Sequence, residues 1–262
     1  MASELHVDIH DGVATLTIDR PQVRNALDAS LIRELNAALD SIQHRESGVR
    51  AMVLTGSGTV FCSGVDLHSV DISTSEAQQR AHAEMRRYMD PVILRLSEFR
   101  LPVLAAVNGA AVGAGMSLAL VADIIVAAES AFFAPSFLRL GLVPDGGIIY
   151  HLAHRIGGGR SLASLLLAER IDAPTALEWG LAYAVAPDGD TLARTQSLAL
   201  KLAAGPACAI AKLRLLHATA FNSSLRQHLQ AEQLAQRDTV ATGDCVEGVR
   251  AFFEKRTPAF KS

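Results

Sequence analysis

Apolar and polar positions alternate over Leu5 to His10 and again over Val13 to Ile18, on either side of Asp11-Gly12. That pattern predicts two antiparallel strands joined by a tight hairpin. The period then changes: Leu31, Leu35, Leu39 and Ile42 fall on one stripe of a helix that Asp28 is suited to cap. Ala51 to Thr55 is a short apolar run ending in Gly56-Ser57-Gly58, read as a buried strand. A polar stretch from His68 to Gln79, expected to be mobile, precedes a helix to about Phe99. Leu101 to Ala128 is then almost wholly apolar, and reads as a strand (Val103 to Val107), a glycine-rich turn, a helix (Ala114 to Val121) and a further strand (Asp123 to Ala128). After Phe132-Phe133, helices are expected from about Gly146. From Leu192 the chain reads as helical only, with Gly205-Pro206 as a stop and restart and with Arg226 to Ala241 and Asp244 to Phe253 amphipathic. Strands alternating with helices predict an α/β core. A boundary near Gly205 divides a core, residues 1–204, from a helical region, residues 205–262.

The stretch from Leu101 to Ala128 carries most of the information. A membrane span is disfavoured by Pro102, Asn108, Asp123 and the glycines within it, and no basic cluster sets an orientation. A dinucleotide fingerprint fails because Leu118 stands where its last glycine should be, and a phosphate loop fails for want of a Lys-Ser or Lys-Thr pair. A strand leading through glycines into a helix points free backbone N–H groups at one place, which suits developing negative charge. An ordinary buried strand and helix would show the same apolar run, so the segment alone leaves both readings open.

Composition narrows the class. With 262 residues, half of them hydrophobic, the chain can bury a large core. A formal net charge of -3 gives no reason to expect a nucleic acid or an anionic membrane as partner. Three widely spaced cysteines, Cys62, Cys208 and Cys245, fit a reducing compartment rather than a disulfide frame. Met1 to Asp11 holds no apolar signal core, so the expected location is the cytoplasm.

Four ordered segments tie these features to a known pattern. They are Asp19-Arg20-Pro21 with Asn25-Ala26-Leu27, then Phe61 to Leu67 (FCSGVDL), then Asn108 to Gly115 (NGAAVGAG), and finally Phe253 to Phe260 (FEKRTPAF). In these the chain resembles the enoyl-CoA hydratase/isomerase, or crotonase, family over nearly its whole length. The resemblance implies a spiral of ββα units, a C-terminal helical trimerisation region, and a coenzyme A thioester whose carbonyl oxygen lies between two backbone N–H groups. Those donors would be Val65 and Ala114. The physics agrees, because removing a proton beside a thioester puts charge on that oxygen, and a fixed donor there can supply about 3 kcal/mol.

Two departures bear on the reaction. Hydratases of the family carry glutamates where this chain has Ser117 and Phe137, which leaves no obvious group to activate water. Met116-Ser117-Leu118 is no nucleophile elbow, and Phe137 is expected to line an apolar acyl pocket. One carboxylate remains, in Leu140-Gly141-Leu142-Val143-Pro144-Asp145-Gly146-Gly147. That run resembles the isomerase branch, including the Δ3,Δ2-enoyl-CoA isomerases and the ring-1,2-epoxyphenylacetyl-CoA isomerases, in which an acidic residue here shuttles a proton. Asp145 before Gly-Gly also reads as an N-cap for the next helix, and the two roles coexist only if apolar neighbours raise its pKa enough to accept and return a proton.

The resulting expectation is an acyl-CoA isomerase with Asp145, Val65 and Ala114 as catalytic groups. Arg24, Ala26, Asp66, Leu67, Gly113, Ser117, Phe137 and Lys255 join Val65 and Ala114 around the substrate. Asp66 is expected to be mainly structural, Asp123 to cap or pair in the core, and His151 and His154 to be surface or interface residues rather than metal ligands. No metal and no separate cofactor is expected, since coenzyme A is part of the substrate. The assembly expected is a trimer or a dimer of trimers. A hydratase using Asp145, and a noncatalytic acyl-CoA-binding scaffold, remain as alternatives.

Overall fold

A computed structural model describes residues 3–44, 48–71 and 73–261. Strands β1 (Leu5–His10) and β2 (Val13–Ile18) form the hairpin the alternation predicts, turning through Asp11 and Gly12 with φ of 49° and 76°. Three parallel strands follow: β3 (Ala51–Gly56) pairs with β2, β5 (Val103–Val107) with β3, and β7 (Ile124–Ala128) with β5. Strand β10 (Ala184–Ala186) adds to β7 at the far edge, so the order is β1-β2-β3-β5-β7-β10. Every residue of β3 and of β5 is buried, which is why these strands read as continuous apolar runs instead of alternating ones.

A second, smaller sheet is the part that hydrophobic patterning does not reveal. It contains β4 (Val60–Cys62), β6 (Ala110–Val112) and β8 (Phe132–Ala134) in parallel, closed by the antiparallel β9 (Ile171–Asp172). The chain therefore repeats one path three times: a strand in the large sheet, a sharp turn, a short strand in the small sheet, then a helix. The helices are α2 (Ser75–Glu98), α3 (Ala114–Leu120) and α4 (Ile148–Ile156). This is the ββα spiral. Strand β6 lies inside what the sequence suggests is only a glycine-rich turn. Two asparagines secure the sharp turns: Asn25 Nδ2 donates to Ser57 O at 2.9 Å and Val60 O at 2.7 Å, and Asn108 Nδ2 donates to Gly56 O at 2.8 Å and Gly58 O at 2.9 Å.

Helix α1 (Ala29–Gln43) covers one face of the large sheet with Leu31, Leu35, Leu39 and Ile42, all buried, and Asp28 caps it by accepting from Leu31 N at 2.9 Å. Helix α7 (Thr191–Ala203) covers the other face, where Ala199 and Ala203 pack on Val53, Leu104 and Ala106. Helix α2 begins at Ser75, capped by Thr74, so the polar stretch expected to be mobile is helical over its second half. Ile72, within that stretch, lies outside the described residues. Helices α5 (Gly158–Leu167) and α6 (Ala173–Glu178) connect α4 to β10.

Beyond Gly205 come α8 (Ala207–Thr219), α9 (Leu225–Val240) and α10 (Gly243–Glu254). Arg214 attaches them to the core by donating to the Asp123 carboxylate at 2.7 Å and to Leu96 O at 3.1 Å. Asp123 also accepts from Val103 N at 2.7 Å, so it pairs in the core as its position suggests. Leu213, Leu229, Phe252 and Phe253 on these helices stay exposed.

Candidate active site

The site forms where the segment after β4 meets the start of α3. Leu27 N donates to Gly64 O at 2.7 Å, and Asp66 N donates to Leu27 O at 2.8 Å. These two bonds hold residues 64–66 in a single parallel bridge beside Leu27, and strand geometry then turns the N–H of Val65 away from it. Ala114 opens α3, whose first turn leaves its own N–H unbonded. Neither N–H meets an acceptor among the described residues.

The two segments touch backbone to backbone. Gly64 has φ 95°, and a Cβ built there would lie 2.8 Å from Val112 O and 3.5 Å from Ala114 N. Only glycine permits both this φ and this approach. Val65 is half-buried against the core and Ala114 is buried, so the two N–H groups emerge from a mostly apolar surface.

A buried ionic network supports the Val65 side. Arg20 Nη1 donates to Ala26 O at 2.6 Å, and Nη2 reaches Asp28 at 3.0 Å and Asp66 at 3.4 Å. Its Nε lies 2.9 Å from Glu4, near enough to pair electrostatically although the N–H does not point along the contact. Asp66 accepts in turn from His68 N at 3.1 Å, capping a short turn over Leu67–Ser69. Its carboxylate thus has the structural role expected of it, and Ala26 contributes a backbone carbonyl to the same network. Leu67 is exposed beside it.

Asp145 approaches from the segment between β8 and α4. Its carboxyl is partly covered by α2, with His82 Nε2 at 3.5 Å from its Oδ2. Burial raises its pKa above the ordinary carboxylate value; His82 and Arg86 counter part of the rise, and Asp90 adds to it. The capping role expected for Asp145 is not found. Helix α4 starts at Ile148 with Gly147 at its cap, and no side chain caps it. Gly146 and Gly147 both adopt left-handed φ, 59° and 77°, so glycine geometry makes the turn and leaves the carboxylate available.

Ser117 links Asp145 to the start of α3. It is fully buried, its Oγ has no partner among the described residues, and a Cβ on Gly146 would come within 2.7 Å of it. The ring of Phe137 packs over Gly113, 3.8 Å from where a Cβ would stand there. The start of α3 thus lies against the Phe137 ring and against Gly146, the residue after Asp145, whose own carboxyl faces His82 on α2. Arg24 is exposed nearby, and its carbonyl accepts from Ser63 N at 3.1 Å. Lys255 is exposed at the end of α10 with φ 54°, and the contacts joining the other residues do not extend to it.

His151 is half-buried against Gly147 on α4, where burial pushes its pKa down to about 4, and His154 is exposed with Nδ1 2.7 Å from Tyr150 O. His82 is the site residue that sequence reasoning missed, because a histidine on the polar face of a long helix carries no signal of a partner distant in the chain. No helix among the described residues is long and apolar enough to cross a membrane.

Comparison with known proteins identifies the family and the fold. The model of the enoyl-CoA hydratase/isomerase family matches residues 8–262. A Rhodobacter capsulatus protein named "Probable enoyl-CoA hydratase" is 40% identical over 259 residues, which are 98% of this chain and 97% of that one. The 1,2-epoxyphenylacetyl-CoA isomerase of Escherichia coli is 36% identical over 253 residues, 96% of each chain. The crystal structure of an enoyl-CoA hydratase from Bacillus anthracis superposes with a TM-score of 0.92 at 30% identity, covering 98% of this chain and 99% of that one.

Proposed function

The chain belongs to the enoyl-CoA hydratase/isomerase family, and on that premise we propose that it is an acyl-CoA isomerase, moving a double bond or rearranging an epoxide-type ring through an enolate. The observation that carries this reading is the half-buried Asp145 carboxyl, which has no arginine partner and meets only the imidazole of His82 among the described residues. Its neighbour Asp90 is held by Arg86, whose Nε and Nη2 donate to it at 3.1 and 3.0 Å, whereas Asp145 meets no arginine within salt-bridge distance among the described residues. A carboxyl whose pKa is raised by burial is a stronger base than an ordinary carboxylate and can both take and return a proton.

The thioester oxygen lies between the N–H groups of Val65 and Ala114. Asp145 removes a proton from the carbon beside the carbonyl of a 3-enoyl thioester, and the electron pair moves into the conjugated enolate, placing charge on the held oxygen. Asp145 then returns the proton two carbons further along, and the double bond ends in the 2-position. No water is consumed. Ser117 has no pKa suited to acid-base work and Phe137 has no proton to give, which weighs against hydration. Arg24 and Lys255 would meet the coenzyme A phosphates.

The test is incubation with 2-enoyl-, 3-enoyl- and epoxide-type acyl-CoA esters, with products identified by mass and by conjugated-enoyl absorbance. Conversion of the 3-enoyl or epoxide ester at constant mass supports the proposal. Gain of one water on the 2-enoyl ester assigns a hydratase instead, and binding without turnover assigns a scaffold.

A further inference from the structure

Asp145 is bordered by a cavity of about 410 Å³ between α2 and the segment Val143–Gly147. Three charged or titratable side chains of α2 line it: His82, Arg86 and Asp90. Arg86 and Asp90 are occupied with each other at 3.0 Å. From α4, His151 packs against Gly147 and is kept neutral by burial. Among the described residues His82 is therefore the titratable group in contact with the Asp145 carboxyl, at 3.5 Å, and its side chain is 53% exposed against 32% for Asp145. The imidazole reaches the carboxyl through Nε2, and more than half of its side chain is open to solvent.

We propose that His82 is a proton relay between Asp145 and bulk water, so that the proton taken from the acyl group exchanges with solvent before it is returned. This rests on the reading of Asp145 as the shuttle. The balance is simple. Protonated Asp145 gives its proton to neutral His82 Nε2, and the imidazolium releases a proton to water. Water reprotonates His82, which returns a proton to the Asp145 carboxylate, and Asp145 delivers it to carbon. No proton is gained or lost, but the hydrogen on the product carbon comes from solvent. A rotation of the imidazole that shortens the 3.5 Å contact to ordinary hydrogen-bond length completes the path. His82 touches no reacting atom and is a positioning residue.

The experiment converts a 3-enoyl-CoA in heavy water and counts deuterium at the carbon that receives the proton, using the wild type, His82→Leu and His82→Gln. The expected result is high incorporation in the wild type and at least about a threefold lower incorporation per turnover in both variants, with kcat falling by less than that. A merely structural role would change kcat and leave the label alone. Equal incorporation in all three proteins overturns the relay while leaving Asp145 as the shuttle. A second readout needs no turnover: the Asp145 carboxyl resonance of protein labelled at aspartate should titrate at higher pH in His82→Leu, since loss of the imidazolium removes an attraction for the carboxylate. An unchanged titration denies the contact and overturns the relay. If the wild type isomerises nothing, the proposed reaction fails first and the relay fails with it.

Discussion

Gly64 and Ala114 stand so close that a methyl group on the first would lie 3.5 Å from the backbone nitrogen of the second. It would also lie 2.8 Å from Val112 O, closer than non-bonded atoms tolerate, on a residue with φ 95°. Gly64→Ala must therefore open the gap between the Val65 and Ala114 N–H groups. We expect a stability loss of roughly 1–3 kcal/mol. We also expect a fall in kcat of about a hundredfold. Thermal unfolding and turnover on the same preparation separate the two, and a normal kcat would show that the spacing of these groups is not what catalysis uses.

Ala114→Pro deletes one donor without changing the partner structure. Ala114 is the first residue of α3, where proline is well accepted and its missing N–H breaks no helical bond. The fold should survive with little change in melting temperature, while kcat drops by about a hundredfold or more. Ala114→Gly should be mild. Full activity in the folded proline variant would show that Ala114 is not a donor.

Much of this arrangement was legible in the chain because its physics is local. The Asp11-Gly12 hairpin, the α1 stripe with its Asp28 cap, and the Gly205-Pro206 break between α7 and α8 each depend on residues adjacent in sequence. The small sheet was not, since strands such as Val60–Cys62 and Ala110–Val112 are shorter than any period can register. The sequence reads Asp145 both as a proton shuttle and as a helix cap, and the cap is made instead by two left-handed glycines. The pairing of Asp145 with His82 and the burial of Ser117 under Gly146 arise only when distant elements pack, so no sequence signal precedes them.

The Arg20 network offers a test of what holds the Val65 side in place. Replacing a buried cation and leaving its carboxylates unpaired costs about 3–5 kcal/mol. Arg20→Met should lose stability of that order, because Asp28 and Asp66 then face each other without a counter-charge. Adding Asp66→Asn to Arg20→Met should recover about 1 kcal/mol or more by removing one of the two charges. Denaturant unfolding of the four proteins in the cycle decides, and additive losses would show that the residues act independently.

The C-terminal helices carry several large apolar side chains on their surface, which suits them to association. Leu213, Leu229 and Phe252 are 65%, 54% and 78% exposed. Leu216, beside them, lines an apolar hollow between α8 and α9 with Leu213 and Leu229. Light scattering at micromolar concentration should give a trimer or a multiple of three, and a charged substitution such as Leu229→Glu should dissociate it. A stable monomer of the unaltered chain would reject this assembly.

The decisive variant is Asp145→Asn, since it keeps the size of the side chain and removes its basicity. It should bind acyl-CoA nearly as the wild type does and lose turnover by at least about a hundredfold. The pH behaviour follows from the direction of the Asp145 shift. Its folded-state pKa lies above the ordinary value of 3.8, so the folded protein holds this proton more tightly than the unfolded chain. The stability it contributes is fully present below the unfolded pKa and is lost as pH rises through the folded one. Asp145→Asn abolishes that dependence and should leave the protein at neutral pH as stable as the wild type or more so. Activity runs the opposite way, because catalysis needs the carboxylate: kcat/KM of the wild type should rise along an acid limb centred above 3.8, and the variant should lack that limb. An unchanged profile in a fully active Asp145→Asn would reject the site. Fast hydration of a 2-enoyl ester that the variant loses, with no double-bond shift, would keep the site and reject the isomerase.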